Sequence, residues 1–287
     1  MSTIKRLLIG PFSCVSSILY KSICLLEYLF CDLYWSLKGV KKPDKEEIDI
    51  VSRNITIIYK SFERQKMAKR LYKNIQKYYP GVRVIIADDS KESLDLTGKN
   101  LEVLQLPFNS GLSYGLNMAL KKVTTPYVLR LDDDELLTRK TYLGRQLNFL
   151  DSHEEIDIVG FCTLTAIRCK NSVNEVSSFT RFTMSNAPKP LKIPHMTQID
   201  GTHFVMAKVP NILLARTDKI KSIGWDNNIR MLDHQNFFWR AAGNLVTVIA
   251  LETVVFHYHN PFDKHYQKYR EDVIEDRKYI AEKYYKK

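Results

Sequence analysis

The stretch YVLRLDDDELLT, residues 127–138, joins a short apolar run to three consecutive aspartates. Short apolar runs bounded by polar residues are typical of buried strands, so the sequence predicts a strand that ends at Asp132, Asp133 and Asp134. Adjacent like charges disfavour one another's ionisation. We therefore expect positive charge beside the end of this strand.

Alternating strand and helix patterns surround this stretch. Strands are predicted at NITIIYK (54–60), VRVIIAD (82–88) and LEVLQLP (101–107), with YVLRLD as the fourth. A helix is predicted over 63–80, where Pro80 stops it, and another runs from caps at Asn109 and Ser110 through Lys122. The alternation predicts an α/β, Rossmann-like fold whose mainly parallel sheet has helices on both faces.

The second half of the chain gives a coarser pattern. Strands are predicted at IDIVGFCTLT (156–165), VNEVSSFTRFTM (173–184) and LVTVIALETVVFHYH (245–259). Residues 202–217 form an apolar segment with a turn at Pro210, and MLDHQNFFWRAAG (231–243) is predicted to be a helix closed by Gly243. The charged, Tyr-rich end from Lys264 is expected to be a surface helix or tail.

Polar clusters follow three of the predicted strands: KSFER after the first, DDS (88–90) after the second and DDDE after the fourth. Ligands of such sheets bind outside the carboxyl ends of the strands, so these clusters are expected to converge at one edge. Carboxylates match Mg²⁺ or Mn²⁺, and a diphosphate substrate would complete the ion's ligands. The alternative is a solvated turn or the acidic start of a helix. Without a GxGxxG or Walker A loop, dinucleotide and P-loop NTPase functions are disfavoured.

The order and spacing of these motifs resemble the family-2 glycosyltransferases of the GT-A fold over roughly residues 50–260. Ser61-Phe62-Glu63 stands at the family's TYN-like turn, Asp88-Asp89-Ser90 at its DDGS motif, and Leu131-Asp132-Asp133-Asp134 at its LDxD motif. Residues 209–226 and 233–248 are similar to the acceptor half of the β-1,4-N-acetylgalactosaminyltransferases.

The resemblance implies roles for individual residues. It makes Asp134 the best metal ligand, with Asp132 and Asp133 orienting the ribose or a metal-bound water. The remaining nucleotide-sugar residues that it implies are Asp88 or Asp89 at uracil, Ser61 and Glu63 lining the same pocket, and Asn109 and Gly111 opening a helix toward phosphate. The cofactor implied is Mn²⁺ or Mg²⁺.

Histidines at the end of the last apolar strand are candidate metal ligands. Strand alternation places His257 and His259 on one face, and a lone histidine there would more often be structural. The family pattern has a histidine at this position that completes the metal site, which favours His257 and leaves His259 in reserve.

The helix beginning at LDHQNFFWRAAG is where the family places the catalytic base. Register favours His234 and the carboxylate chemistry of most relatives favours Asp233. We predict Asp233 as the base, because a carboxylate stays ionised across neutral pH, and His234 as a sugar-binding residue.

These features predict an inverting, metal-dependent glycosyltransferase. It would move a GalNAc, Gal, Glc or GlcNAc type of sugar from a UDP-sugar to a hydroxyl of a glycan or glycolipid. The alternatives are a catalytically silent GT-A-like module on a membrane surface and a metal-dependent nucleotidyltransferase.

Composition limits the partners and the compartment. The 287 residues, 45% hydrophobic, can form a substantial core, and the net charge of +11 favours partners that carry phosphate. The basic residues are scattered without a binding motif, so no nucleic-acid partner is expected. Five cysteines, an odd number without zinc-type pairs, indicate a reducing compartment.

The first 48 residues differ from the rest. Their longest uncharged run, 7–20, is interrupted by Pro11 and too short for a good membrane span. Aromatic and aliphatic residues followed by lysines suit a helix at a membrane interface, and a helix packed on the protein's own core fits almost as well. We predict three parts: a membrane-associated segment and linker (1–48), the GT-A domain (49–262) and a charged C-terminal helix or tail (263–287). The expected location is cytoplasmic and peripheral on the membrane, and a type II Golgi protein with glycan on Asn54 is the alternative.

Overall fold

A computed structural model describes residues 13–165, 188–258, 268–269 and 273–285 of the protein. The helices are α1 (Ser13–Leu37), α2 (Lys45–Asn54), α3 (Gln65–Tyr78), α4 (Leu112–Lys121), α5 (Leu143–Ser152), α6 (Thr217–Ile223), α7 (Asp233–Ala241) and α8 (Ile274–Ile280), which a π-helical turn (Ala281–Tyr285) continues. The strands are β1 (Ile55–Ser61), β2 (Arg83–Asp88), β3 (Leu101–Gln105), β4 (Tyr127–Asp132), β5 (Glu135–Leu137), β6 (Ile158–Thr165), β7 (His203–Val205), β8 (Leu213–Arg216) and β9 (Thr247–His257). The predicted strand 173–184 and His259 lie outside the described residues.

All nine strands of the described part of the chain form one sheet in the order β3-β2-β1-β4-β8-β6-β9-β5, with β7 paired to β9. The four strands from β3 to β4 are parallel, as the alternating pattern predicts. Beyond β4, antiparallel pairs with β8, β7 and β5 make the sheet mixed. The antiparallel partners are distant in sequence, since β4 pairs with β8 and β5 with β9, so these pairings do not come from hairpins.

Helices cover both faces of the sheet, which confirms the predicted α/β fold. In β1, Ile57 and Tyr59 contribute to one hydrophobic layer and Ile58 to the other, because successive strand side chains alternate. Leu71 of α3 packs in the first layer and Phe237 of α7 in the second. The sheet is buried between them, so the polar ends of its strands are left for a site.

The start of α4 differs from the predicted cap. The helix begins after Gly111, whose φ of 100° is a left-handed conformation, and neither Asn109 nor Ser110 caps it. The Ser110 hydroxyl and the Gly111 N–H instead donate to the Asp89 carboxylate, at 3.3 and 3.1 Å. Asp89 therefore fixes the turn that precedes α4 without capping the helix.

Helix α1 packs against the ends of β5 and β9. Cys24 and Tyr28 are buried with Phe256, and the Tyr28 hydroxyl donates to the Leu137 carbonyl at 3.0 Å. No helix in the described ranges has the length and apolar character needed to cross a membrane. The predicted domain boundary at residue 48 falls inside α2.

Candidate functional site

A cavity of about 650 Å³ lies at the carboxyl edge of the parallel strands. Side chains from both halves of the chain line it: Lys60, Phe62, Arg64, Asn109, Gly111, Leu112, Asp132, Asp133, Asp134, Asn211, Arg230, Met231, Asp233, His234, His257, Lys268, Tyr269, Glu275 and Asp276. The structure thus brings together the predicted metal ligands, the predicted base and four of the predicted nucleotide residues.

Two arginines supply the positive charge expected beside the three aspartates. Arg64, in the loop between β1 and α3, donates to the carboxylates of Asp133 and Asp134, the latter at 3.1 Å. Arg130, a buried residue of β4, has Nη2 2.8 Å from Asp132 Oδ1. Burial, opposed by the charge of Arg64, raises the pKa of Asp133 to about 7. The cluster is therefore partly neutralised by the protein itself.

Asp89 holds the elements around the donor side of the cavity together. Its fully buried carboxylate accepts from Lys60 and from the N–H of Gly111 at the start of α4. A Cβ at Gly115 would lie 2.9 Å from Lys60 Cδ, so glycine makes room for this lysine across α4. Burial lowers the pKa of Lys60, although Asp89 counteracts this effect. Asp89 does not line the cavity itself, but it positions Lys60, which does.

Three other predicted nucleotide residues lie away from the cavity wall. The Asp88 carboxylate is buried and accepts from Ser90 Oγ at 2.6 Å and from the Leu94 N–H at 2.8 Å. Glu63 Oε1 accepts from the Lys91 N–H at 2.8 Å, and Ser61 is fully buried in β1. Asp88 and Glu63 therefore organise the loop after β2 in this structure.

Asp132, Asp134 and His257 fit a divalent ion by their chemistry, since they offer two carboxylates and an imidazole. His257 Nε2 lies 3.6 Å from Asp134 Oδ1. Burial alone would lower the pKa of His257, but the hydrogen bond and charge of Asp134 outweigh it and raise the pKa. Within the described ranges, however, no three His, Cys, Asp or Glu side chains are arranged as a metal cluster. The side chains that could bind an ion are present, but Asp134 is hydrogen-bonded to Arg64 in this structure.

Asp233 lies at the first position of α7, on the acceptor side of the cavity. It is 3% exposed, and its Oδ2 has no hydrogen-bond partner in the described part of the chain. Arg130 Nη2 is 4.0 Å from this oxygen. Burial, opposed by Arg130, raises the pKa of Asp233 to about 6. The carboxylate is mostly ionised at neutral pH and a stronger base than an exposed aspartate, as a general base requires.

His234, the other candidate base, lines the same cavity but is fixed by the backbone. Its Nε2 lies 2.7 Å from the Val209 carbonyl, which can only accept, so this nitrogen carries the proton. Burial and the positive charge of Lys208 lower the pKa of His234 well below its usual value. The ring is neutral and weakly basic, which favours a positioning or sugar-binding role.

The C-terminal helix α8 holds the turn that precedes Asp233. The Asp276 carboxylate, 4% exposed, accepts from the backbone N–H groups of Arg230, Met231 and Leu232 at 3.0, 2.6 and 2.9 Å. Arg230 in turn donates to the Asn109 carbonyl beside α4. The predicted C-terminal surface helix is therefore packed on the site.

Sequence reasoning missed several of these residues. Arg130 was detectable as an arginine inside an otherwise apolar strand, where an unpaired charge is costly. Lys60 and Arg64 flank the motif that drew attention to Ser61 and Glu63. Asp276 had no local signal, because its partners lie 44 to 46 residues away.

Comparison with known proteins identifies the family of the chain. The family model "Glycosyl transferase family 2" matches residues 55–204, just over half of the chain. Human β-1,4 N-acetylgalactosaminyltransferase 1 is 32% identical over 220 residues, which are 72% of this chain and 39% of that protein. Mouse β-1,4 N-acetylgalactosaminyltransferase 2 is 30% identical over 205 residues, 71% of this chain and 39% of its own length. The chain spans about two fifths of the length of these curated relatives.

Solved structures share the fold at low sequence identity. Staphylococcus aureus TarS 1-349, in complex with UDP-GlcNAc, aligns with a TM-score of 0.52 at 19% identity, covering 71% of this chain and 58% of that one. The mannosyltransferase PcManGT from Pyrobaculum calidifontis, in complex with GDP-Man and Mn²⁺, aligns with a TM-score of 0.52 at 16% identity, covering 91% and 76%. The predicted GT-A fold is confirmed.

Proposed function

The chain belongs to glycosyl transferase family 2, and we propose that it transfers a sugar from a UDP-sugar to a hydroxyl of a glycan or glycolipid, with inversion. The observation that carries this proposal is a cavity whose walls hold Asp132, Asp133 and Asp134 together with the buried, basic Asp233. Arg130 connects them, because it lies beside Asp132 and Asp233.

The donor side is suited to a nucleoside diphosphate. Lys60, Arg64, Arg230 and Lys268 line the cavity, so cationic groups are available to oxygen atoms of the two phosphates. Phe62 and Tyr269 pack edge to face at one side, with ring centroids 4.9 Å apart, and offer aromatic surface near a base. Asp132 and Asp133 are placed to orient the ribose.

Asp132, Asp134 and His257 would hold Mn²⁺ or Mg²⁺, which would stabilise the negative charge that develops on the leaving nucleoside diphosphate. The Mn²⁺ complex of the structurally similar mannosyltransferase supports this assignment. Arg64 competes for the same carboxylate of Asp134. Donor and ion binding therefore requires this arginine to share or exchange its partner.

Asp233 would act as general base on the acceptor. In an inverting transfer one group removes the acceptor hydroxyl's proton as the oxygen attacks the anomeric carbon on the face opposite the nucleotide. Asp233 Oδ2 is buried without a hydrogen-bond partner among the described residues, so it is available to that proton. His234, held by Val209, would contact the sugar or the acceptor.

The names of the relatives narrow the donor. Two of them are β-1,4 N-acetylgalactosaminyltransferases, which makes UDP-GalNAc the first donor to test. UDP-Gal, UDP-Glc and UDP-GlcNAc complete the panel. A glycolipid acceptor at the cytoplasmic membrane surface fits a peripheral protein, and glycan on the Asn54 sequon would instead indicate the Golgi alternative.

The test measures UDP release from each donor with Mn²⁺, with and without glycan acceptors, for the native protein and Asp233→Asn. We expect one donor to give acceptor-dependent UDP release that Asp233→Asn abolishes while UDP still binds. Binding of UDP without turnover of any donor would instead identify a catalytically silent module. Release of sugar 1-phosphate in place of UDP would identify a nucleotidyltransferase.

A further inference from the structure

The outward face of α1 is the largest apolar feature among the described residues that the site does not use. The helix has 25 residues, so it is about 37 Å long. Its exposed large side chains are Val15, Ile18, Leu19, Ile23, Leu25, Leu26, Leu29, Phe30, Leu33, Tyr34 and Leu37, each between 40% and 78% exposed. At 100° per residue these positions form one continuous face, hereafter the α1 stripe.

The polarity of α1 is the reverse of that of an ordinary surface helix. The side that packs on the domain contains Cys24 and Tyr28 together with the polar Asp32, which pairs with Arg139 at 3.0 Å and Lys77 at 3.6 Å. The backbone carbonyl of Lys21 also faces the domain, because the Tyr258 hydroxyl donates to it at 2.6 Å. The packed side carries the acidic and hydrogen-bonded groups, and the side facing away carries the aliphatic ones.

Basic and aromatic residues border the α1 stripe. Lys38, Lys41 and Lys42 follow it and are exposed, and Lys77 is exposed beside its packed edge. Tyr34, at the edge of the α1 stripe, lies under Lys38, whose ammonium is 5.8 Å from the ring centroid. An apolar surface with lysines and interfacial aromatic residues at its edge matches the two layers of an anionic bilayer, acyl chains beneath charged headgroups.

We infer that the α1 stripe docks on the surface of an anionic lipid bilayer, with α1 lying along the interface and its packed side holding the domain. Charge selects this occupant over a second copy of the chain, because a copy would bring a second set of the same lysines to the edge of the stripe. Docking is independent of the proposed transfer, since it needs no donor or acceptor.

Docking would hold the domain at the bilayer through the packed side of α1. Tyr258 connects this side of α1 to the site, because its hydroxyl donates to the Lys21 carbonyl and its N–H donates to the Asp134 carbonyl, each at 2.6 Å. One residue therefore contacts both the helix on the membrane and the aspartate proposed for the metal. Docking would therefore concentrate the protein at a bilayer that can hold glycolipid acceptors, a consequence that rests on the proposed function.

The experiment is flotation of the full chain with vesicles of phosphatidylcholine alone or mixed with phosphatidylglycerol. We expect binding to the mixed vesicles that weakens with salt. Leu26→Ser with Phe30→Ser should reduce the partition constant by about a hundredfold, since each side chain loses its transfer from water. The matched control is the exchange Leu26→Phe with Phe30→Leu, which keeps the apolar surface and should keep binding. Lys38→Gln with Lys41→Gln should weaken binding to mixed vesicles by about tenfold.

Both serine positions point away from the domain, so the melting temperature of the variant should match that of the native chain. A second pair on the same face, Leu19→Ser with Leu33→Ser, must reproduce the loss. Unchanged flotation of both pairs overturns the inference. Sedimentation that shows a dimer in lipid-free buffer, dissociated by the same serine pairs, also overturns it and assigns the α1 stripe to a second copy.

Discussion

The pH dependence of transfer in Asp233→Asn distinguishes a general base from a residue that only binds the donor. With a pKa of about 6, roughly nine tenths of the native carboxylate is ionised at pH 7 and one tenth at pH 5. The kcat/KM for transfer, which reports the pKa values of the free enzyme, should therefore fall about tenfold between pH 7 and pH 5. Asp233→Asn should lose most of the rate, and the remainder should lack the inflection near pH 6.

The same variant has an expected effect on stability. The folded-state pKa of Asp233 lies above its ordinary value of 3.8, so ionisation of the buried group costs stability. This cost is absent below about pH 4, develops as pH rises, and is complete above about pH 6, where the difference corresponds to about 3 kcal/mol. Asp233→Asn should therefore raise the melting temperature by about 5 °C at pH 7 and by little at pH 4.

His234→Asn is the matched control for the base. It lies one position along α7 and faces the same cavity, so it reports the effect of disturbing the helix start without removing the carboxylate. UDP affinity measured across the same pH range accounts for titration of Asp133, whose pKa of about 7 would affect donor binding. Retention of transfer in Asp233→Asn, with loss in His234→Asn and normal UDP affinity, would refute the assignment and exchange the two roles.

Three further substitutions test the rest of the site. Asp134→Asn should fold normally but lose Mn²⁺-dependent turnover, because a neutral amide binds the ion weakly; unchanged turnover with Mn²⁺ would remove Asp134 from the metal site. Asp133→Ala should chiefly weaken UDP binding in calorimetry, since it lines the donor side; normal UDP affinity with lower kcat would contradict this role. Asp276→Ala should lower stability by about 3 kcal/mol and lower kcat with UDP affinity preserved, because three N–H groups before Asp233 lose a charged acceptor. Lys278→Ala, exposed on the same helix, is its control, and an equal kcat in both variants would exclude a positioning role for Asp276.

The sequence predicted the parallel half of the sheet closely, because its strands are buried on both sides and interrupted by strong turn signals. The strand predicted to end at Asp132 was observed as Tyr127–Asp132. Prediction was weaker where side-chain direction decides the role. Asp88 and Asp89 are adjacent and both buried, yet Asp88 binds the N–H groups of its own loop while Asp89 binds Lys60. A motif predicts where a carboxylate lies in the chain, but it does not predict which hydrogen-bond donor binds that carboxylate.

Long-range contacts account for most of what the sequence did not predict. The position of Asp233 depends on Asp276, whose partners lie between α6 and α7, and on Arg130, whose Nη2 is 4.0 Å from Asp233 Oδ2. No periodic pattern in the sequence predicts either contact. The second half of the sheet also depends on long-range contacts, because the pairing of β4 with β8 joins residues more than 80 positions apart.

The charges around the cavity explain why a cation suits this site even though two arginines already contact the aspartates. Four carboxylates, Asp132, Asp133, Asp134 and Asp233, face Arg64, Arg130 and His257 in the direct ion pairs of the described residues. Burial then raises the pKa of Asp133 to about 7 and of Asp233 to about 6. A positive charge at Asp132 and Asp134 would favour the ionised form of both groups. Binding of a divalent ion would thus release protons, and the ion would leave Asp233 ionised when the acceptor arrives.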